Sequence, residues 1–98
     1  MKIRLIAFTE AGLRQAHRLG ACLPQDAQVE VSRGFGPDKE SLAAWTSEGF
    51  SEADALVFVG AAGIAVRAIA PHASSKAVDP AVVVVDEAAR WVIPLLSG

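Results

Sequence analysis

Two stretches of the chain, Ala55-Leu56-Val57-Phe58-Val59 and Ala81-Val82-Val83-Val84-Val85, are apolar at every position. A strand with one wet face alternates in polarity, so these unbroken runs predict strands covered on both faces, the first of them mid-sheet. Lys2 to Phe8, rich in branched and apolar types, predicts another strand, and Thr9 follows where a helix cap belongs. Leu13, Ala16, Gly20 and Leu23 then recur at helical spacing while Arg14, Gln15 and Arg18 point elsewhere, and Pro24 marks the stop. Gln28-Val29-Glu30-Val31-Ser32 alternates as a half-buried or edge strand does, before Gly34, Gly36 and Pro37 break the chain. Asp38 can cap a helix running to about Gly49, with Leu42, Trp45 and Phe50 available to a core. Gly60-Ala61-Ala62-Gly63 opens a short helix through Ile69 or Ala70, closed by Pro71. Trp91-Val92-Ile93 predicts a last strand after a turn from Asp86 to Arg90.

Strands alternating with helices predict an α/β three-layer sandwich with a mainly parallel, flavodoxin-like or Rossmann-like sheet. The short final connection requires an antiparallel β-hairpin at the C-terminal end. With 98 residues and neither an internal repeat nor a linker, the chain is read as a single domain over residues 1–98.

Composition narrows the function classes. An apolar fraction of 52% with 20% charged residues disfavours disorder. A net charge of -2, with scattered basic residues, leaves no electrostatic footprint for nucleic acid. The longest uncharged run, Ala55 to Val66, falls far short of the about 20 residues that span a bilayer. Met1-Lys2 leads directly into a strand without the regions of a signal peptide, so a cytoplasmic protein with no membrane partner is expected. Cys22 is the only cysteine, which excludes an intrachain disulfide, and its neighbours Ala21 and Leu23 read as a packed helix end.

In open α/β sheets ligands bind outside the carboxyl ends of the strands, and Gly60 sits at that end of the predicted central strand. Gly60 and Gly63 would let backbone amides approach a ligand carboxylate or phosphate at a helix N-terminus. A tight turn with close helix packing explains the same glycines, which match neither a dinucleotide nor a Walker pattern. Arg67, the one charged side chain between Ala55 and Pro71, either snorkels or pairs internally, or clamps a ligand carboxylate. His72 reads as a surface residue with no second histidine nearby, and no protein metal site is expected. Lys76 and Asp79 precede a buried strand, where Asp79 can terminate a turn. Asp86, at the carboxyl end of Val82 to Val85, either orients water and binds a polar ligand or caps a turn, and Glu87 and Arg90 beside it read as solvated.

In fixed order, the segment from Ala55 through Gly60-Ala61-Ala62-Gly63 and Arg67 to Pro71, then Lys76, then Asp79-Pro80 through Asp86, then Val92 to Gly98, resembles the amino-terminal region of the CbiG family of cobalamin-biosynthesis proteins. Residues 1–54 fit only as a strand and helix pattern. The resemblance implies the anaerobic branch of cobalamin synthesis and a cobalt-precorrin-5A hydrolase. That enzyme opens a ring-A lactone and releases acetaldehyde to give cobalt-precorrin-5B. It implies a carboxylate-rich cobalt-precorrin tetrapyrrole as substrate, held by Gly60, Gly63, Arg67 and Lys76. Asp86 would be the catalytic base and the amides of residues 60–63 the oxyanion donors. Cobalt would come with the substrate, so no cofactor is expected. The family pattern runs on beyond Leu95-Leu96-Ser97-Gly98 into a carboxyl-terminal domain, expected here as an absent partner. Without it Leu95 and Leu96 would be exposed, which predicts self-association into a homo-oligomer. The competing expectation is a corrinoid-binding or docking module with its chemistry elsewhere.

Overall fold

The computed structural model describes residues 1–74 and 78–96. Five strands and three helices follow in the order β1 (Lys2–Ala7), α1 (Glu10–Cys22), β2 (Gln28–Arg33), α2 (Leu42–Glu52), β3 (Ala55–Val59), α3 (Ala62–Ile69), β4 (Ala81–Val85) and β5 (Val92–Leu96). The strands form one sheet in the order β2-β1-β3-β4-β5, parallel except for the β4–β5 pair. This is the mainly parallel three-layer α/β architecture with a C-terminal hairpin that the hydrophobic pattern predicts.

Both unbroken apolar runs are interior strands. On one face Leu56 and Phe58 of β3, Ile6 of β1, and Val82 and Val84 of β4 pack with Trp45 of α2 and Ala65 and Ile69 of α3. On the other, Ile3, Leu5 and Ala7 of β1 and Val59 of β3 pack with Ala16 of α1. Because successive strand residues face opposite ways, a strand buried twice has no position left for a polar residue. Alternating β2 lies at the sheet edge, as its pattern predicts. Trp45 meets Phe58 edge-on, ring centroids 5.3 Å apart, and its buried indole N–H has no hydrogen-bond partner among the described residues.

The caps differ in part from expectation. Thr9 caps α1, its side chain accepting from the Gly12 N–H. Asp38 does not cap α2; Ser41 does, accepting from the Ala44 N–H, and the helix runs past Gly49 to Glu52. Gly49 is a point of close approach within the helix, since a Cβ there would sit 2.5 Å from Leu56 Cδ2. Cys22 is exposed at the end of α1, not packed. Arg4 of β1 carries a side chain only 13% exposed that reaches Glu52 at 3.0 Å, Glu48 at 3.5 Å and Glu30 at 4.0 Å, linking β1, α2 and β2.

At the other edge, β5 pairs with β4 through an irregularity between Val82 and Val83, which places Leu96 opposite Val82 and Pro94 opposite Val83. Leu95 and Leu96 are half-buried against the α2–α3 side of the core, so the exposure expected of them is not found. The exposed apolar residues of this edge lie earlier, at Trp91, Val92 and Ile93. Among the described residues no helix is long and apolar enough to cross a membrane.

Gly49→Ala is expected to destabilise the fold by about 1–3 kcal/mol, because the fully buried Leu56 would have to shift to admit the new methyl group. Urea unfolding measures this, and an unchanged midpoint would show that the α2–β3 contact is looser than described.

Candidate functional site

In the order β2-β1-β3-β4-β5, the chain leaves β1 for α1 on one face of the sheet and leaves β3 for α3 on the other. The connections part between the carboxyl ends of β1 and β3, and this divergence opens the crevice in which such sheets bind ligands. An open cleft of about 430 Å³ lies there. Phe8 and Thr9 enter it from the end of β1, Gly60 and Ala61 from the end of β3, and Asp86 and Glu87 from the end of β4. Ile64 of α3 and the half-exposed Trp91 complete its apolar wall.

Thr9 links two of these ends. Its Oγ1 accepts from the Gly12 N–H at 3.0 Å as the cap of α1, and its hydroxyl donates to Glu87 Oε1 in a short hydrogen bond. Gly60 adopts a φ of +154°, open to glycine and strained for other residues. Its N–H donates to the Val85 carbonyl at 2.9 Å. Gly60 therefore supplies the bend that brings α3 to the cleft, while its amide is committed to β4. Gly63, second residue of α3, is exposed, and a Cβ there would meet nothing within 4 Å. Among the described residues no side chain caps the N-terminus of α3, so its first-turn amides keep their partial positive charge.

Asp86 has the geometry of a turn cap at the margin of the cleft. Its Oδ2 accepts from Arg90 Nε at 2.9 Å, from the Ala88 N–H at 3.2 Å and from the Arg90 N–H at 3.4 Å. The turn is closed by Ala89 N–H donating to the Asp86 carbonyl at 2.7 Å, with Ala89 in the left-handed region at φ 57°. The Arg90 hydrogen bond holds the Asp86 carboxyl below its ordinary value against a smaller opposing effect of burial, and the same bond raises Arg90. Arg90 is thus the partner of Asp86 and not merely solvated.

The other expected ligand-holding residues are placed elsewhere. Arg67 is exposed in the last turn of α3, where its charge suits the helix dipole, and lines a separate depression with Leu42, Pro71 and His72. It does not join Gly60 and Asp86. His72 packs on Phe50 with ring centroids 5.3 Å apart. Lys76 lies outside the described residues. Asp79 accepts from the N–H and the hydroxyl of Ser74, at 2.7 and 3.2 Å. Phe8, Glu87 and Trp91 are cleft residues that pattern reading did not single out. Among the described residues no group of three or more His, Cys, Asp or Glu could hold a metal ion.

Residues 44–98 match the family described as cobalamin synthesis G N-terminal. The chain belongs to this family. It covers Ala61, Ala62, Gly63 and the β4–β5 turn, so the cleft described above is built largely from cobalamin synthesis G N-terminal residues, with Phe8 and Thr9 added from outside the match. Among curated relatives, a cobalt-precorrin-5A hydrolase of Salmonella typhimurium is 42% identical over 98% of this chain and 28% of its own length. One of Priestia megaterium is 30% identical over 96% of the chain and 28% of its own. The chain thus spans about 28% of the length of the curated relatives it matches. A crystal structure of a cobalamin biosynthesis protein G homolog from Sulfolobus solfataricus is similar at a TM-score of 0.68 with 31% identity, covering 99% of this chain and 29% of that one.

Asp86 yields a pH-dependent prediction. A carboxyl whose folded pKa lies below its ordinary value of 3.8 contributes its stabilisation fully above that value and loses it as the pH falls through the folded value. Asp86→Asn is therefore expected to lower Tm at neutral pH, with the gap closing as the pH falls below that ordinary value and the wild-type carboxylate takes up its proton. A gap that stays constant as the pH falls would remove the Asp86–Arg90 pair from the stability of the turn.

Proposed function

We propose that this chain serves cobalamin biosynthesis as the part of a cobalt-precorrin-5A hydrolase that holds the macrocycle while the ring-A lactone is opened and acetaldehyde is released. The observation that carries this reading is the cleft at the carboxyl ends of β1, β3 and β4 in a chain of this family. Lactone opening adds water across the acyl C–O bond and develops negative charge on the carbonyl oxygen. The uncapped first turn of α3, at Ala62 and Gly63, offers amide donors for that charge. Gly60 contributes the bend that brings those donors to the cleft, its own amide being engaged with Val85.

Asp86 fits a positioning role better than that of a base. General bases work best with a pKa near the working pH, whereas Arg90 holds this carboxyl low and three donors occupy Oδ2. Asp86 fixes the turn that presents Glu87 and Trp91 to the cleft. The second reading keeps Asp86 as the water-activating base, favoured by its place on the cleft margin with a side chain only 16% exposed.

The chain is to be assayed alone, and joined to the remaining segment of the Salmonella typhimurium relative, with cobalt-precorrin-5A as substrate and acetaldehyde as readout. Turnover is expected in the joined protein. Its absence there, with the fold intact, would overturn the assignment. In the same assay Asp86→Asn and Arg90→Gln are expected to reduce kcat alike, by less than about tenfold. A loss of about 10² to 10⁴ for Asp86→Asn alone would restore the base reading.

A further inference from the structure

A second cleft, open and about 570 Å³ in volume, adjoins the first and shares Asp86 and Glu87 with it. Its opposite wall is α1, which presents Arg14, Gln15 and Arg18, while Arg90 approaches from the hairpin turn. Arg14 and Arg18 stand one helical turn apart on one face, an arrangement of like charges that costs helix stability. Neither has an ion pair among the described residues. The two acids lining this cleft, and Glu10 one helical turn before Arg14, are already engaged: Asp86 by Arg90, Glu87 by the Thr9 hydroxyl, and Glu10 by Arg33 at 3.8 Å. Two guanidinium groups thus face a cleft whose own carboxylates are committed. The adjoining cleft offers the complementary surface, an apolar wall of Phe8, Ile64 and a Trp91 that is 49% exposed.

We infer that the paired clefts form one binding site for a flat, apolar ring bearing carboxylate arms, with the ring against Trp91 and Phe8 and the arms on Arg14 and Arg18. This deepens the proposed function and rests on it for the identity of the ring. Guanidinium groups take carboxylates through paired N–H donors, and an exposed indole gains from covering a conjugated face. A nucleotide, which also combines a ring with anionic groups, is disfavoured. On the arginine side of the site the N-terminus of α1 offers no seat for a phosphate, because the Thr9 side chain caps it and the Glu10 and Glu87 carboxylates stand beside it.

The 98-residue chain is to be titrated with uroporphyrin, whose arms are acetates and propionates, and with its methyl ester, which keeps the ring and loses the charge. Quenching of tryptophan fluorescence reports occupancy. Uroporphyrin is expected to bind, the ester to bind at least about tenfold more weakly, and Arg14→Gln/Arg18→Gln to lose about tenfold in uroporphyrin affinity at a Tm no lower than that of wild type. Arg67→Gln, outside both clefts, is expected to bind as wild type. Equal affinity of the double variant and the wild type would overturn the arginine assignment, as would tighter binding of flavin mononucleotide than of uroporphyrin. The acetaldehyde assay separates the two levels. Turnover that survives in the double variant with unchanged KM sinks this inference and leaves the function standing, whereas arginine-dependent porphyrin binding without turnover in the joined protein does the reverse.

Discussion

The structure depends on burying β3 from both sides. Leu56 and Phe58 are fully covered on the α2–α3 side, and Val59 is fully covered on the α1 side. Burial of a large aliphatic or aromatic side chain contributes roughly 1.5–3 kcal/mol, so three such residues on one short strand dominate the local energetics. That demand sets the order of the sheet. A strand covered twice must lie inside it, and the helices before and after it must pass over opposite faces or the same face as packing allows. Here α1 takes one face and α2 with α3 the other. The chain ends after β1 and β3 then diverge, and the cleft is the space their divergence leaves.

What lines the cleft follows from how each strand is ended. β1 ends in Phe8 and the helix-capping Thr9, β3 in the unusual backbone of Gly60, and β4 in the Asp86 turn. Each terminator has a local job, and each also presents a group to the same space. Thr9 bonds Glu87 across 78 residues of sequence, so the β1 and β4 ends are held together by a side-chain contact as well as by the sheet. Asp86 and Glu87 are consumed in holding these ends together, which leaves the arginines of α1 without an ion pair among the described residues.

Much of the fold was readable because its signals are local and redundant. The two apolar runs, the alternation in β2, the Thr9 cap and the Gly60 bend each specify one element from a few neighbouring residues. The errors arose where a local signal had a competitor. Gly49 resembles a helix stop, yet it is glycine because Leu56 lies against it. Asp38 resembles a cap, but Ser41 sits closer to the first packed turn, at Leu42 and Trp45. Cys22 looked packed beside Ala21 and Leu23, although the buried face of α1 runs through Gly12 and Ala16. The site was harder to read. Arg67 stood out for being alone in an apolar helix, while Arg14 and Arg18 looked like an ordinary wet face. Only the packing of α1 beside the β4–β5 turn gives that face a neighbour. The linkage of Glu87 to Thr9 and the exposure of Trp91 are likewise products of topology, without a signal in nearby residues.

We propose that the carboxyl ends of β1, β3 and β4 form the ligand-holding surface. Amide and indole chemical shifts of the isotopically labelled chain, followed during addition of uroporphyrin, test it most directly. The perturbed signals are expected to cluster at Thr9, Gly60, Ala62, Gly63, Glu87 and the Trp91 indole, extending to Arg14 and Arg18. Perturbations centred instead on Arg67 and His72, beside the separate depression of α2 and α3, would contradict it.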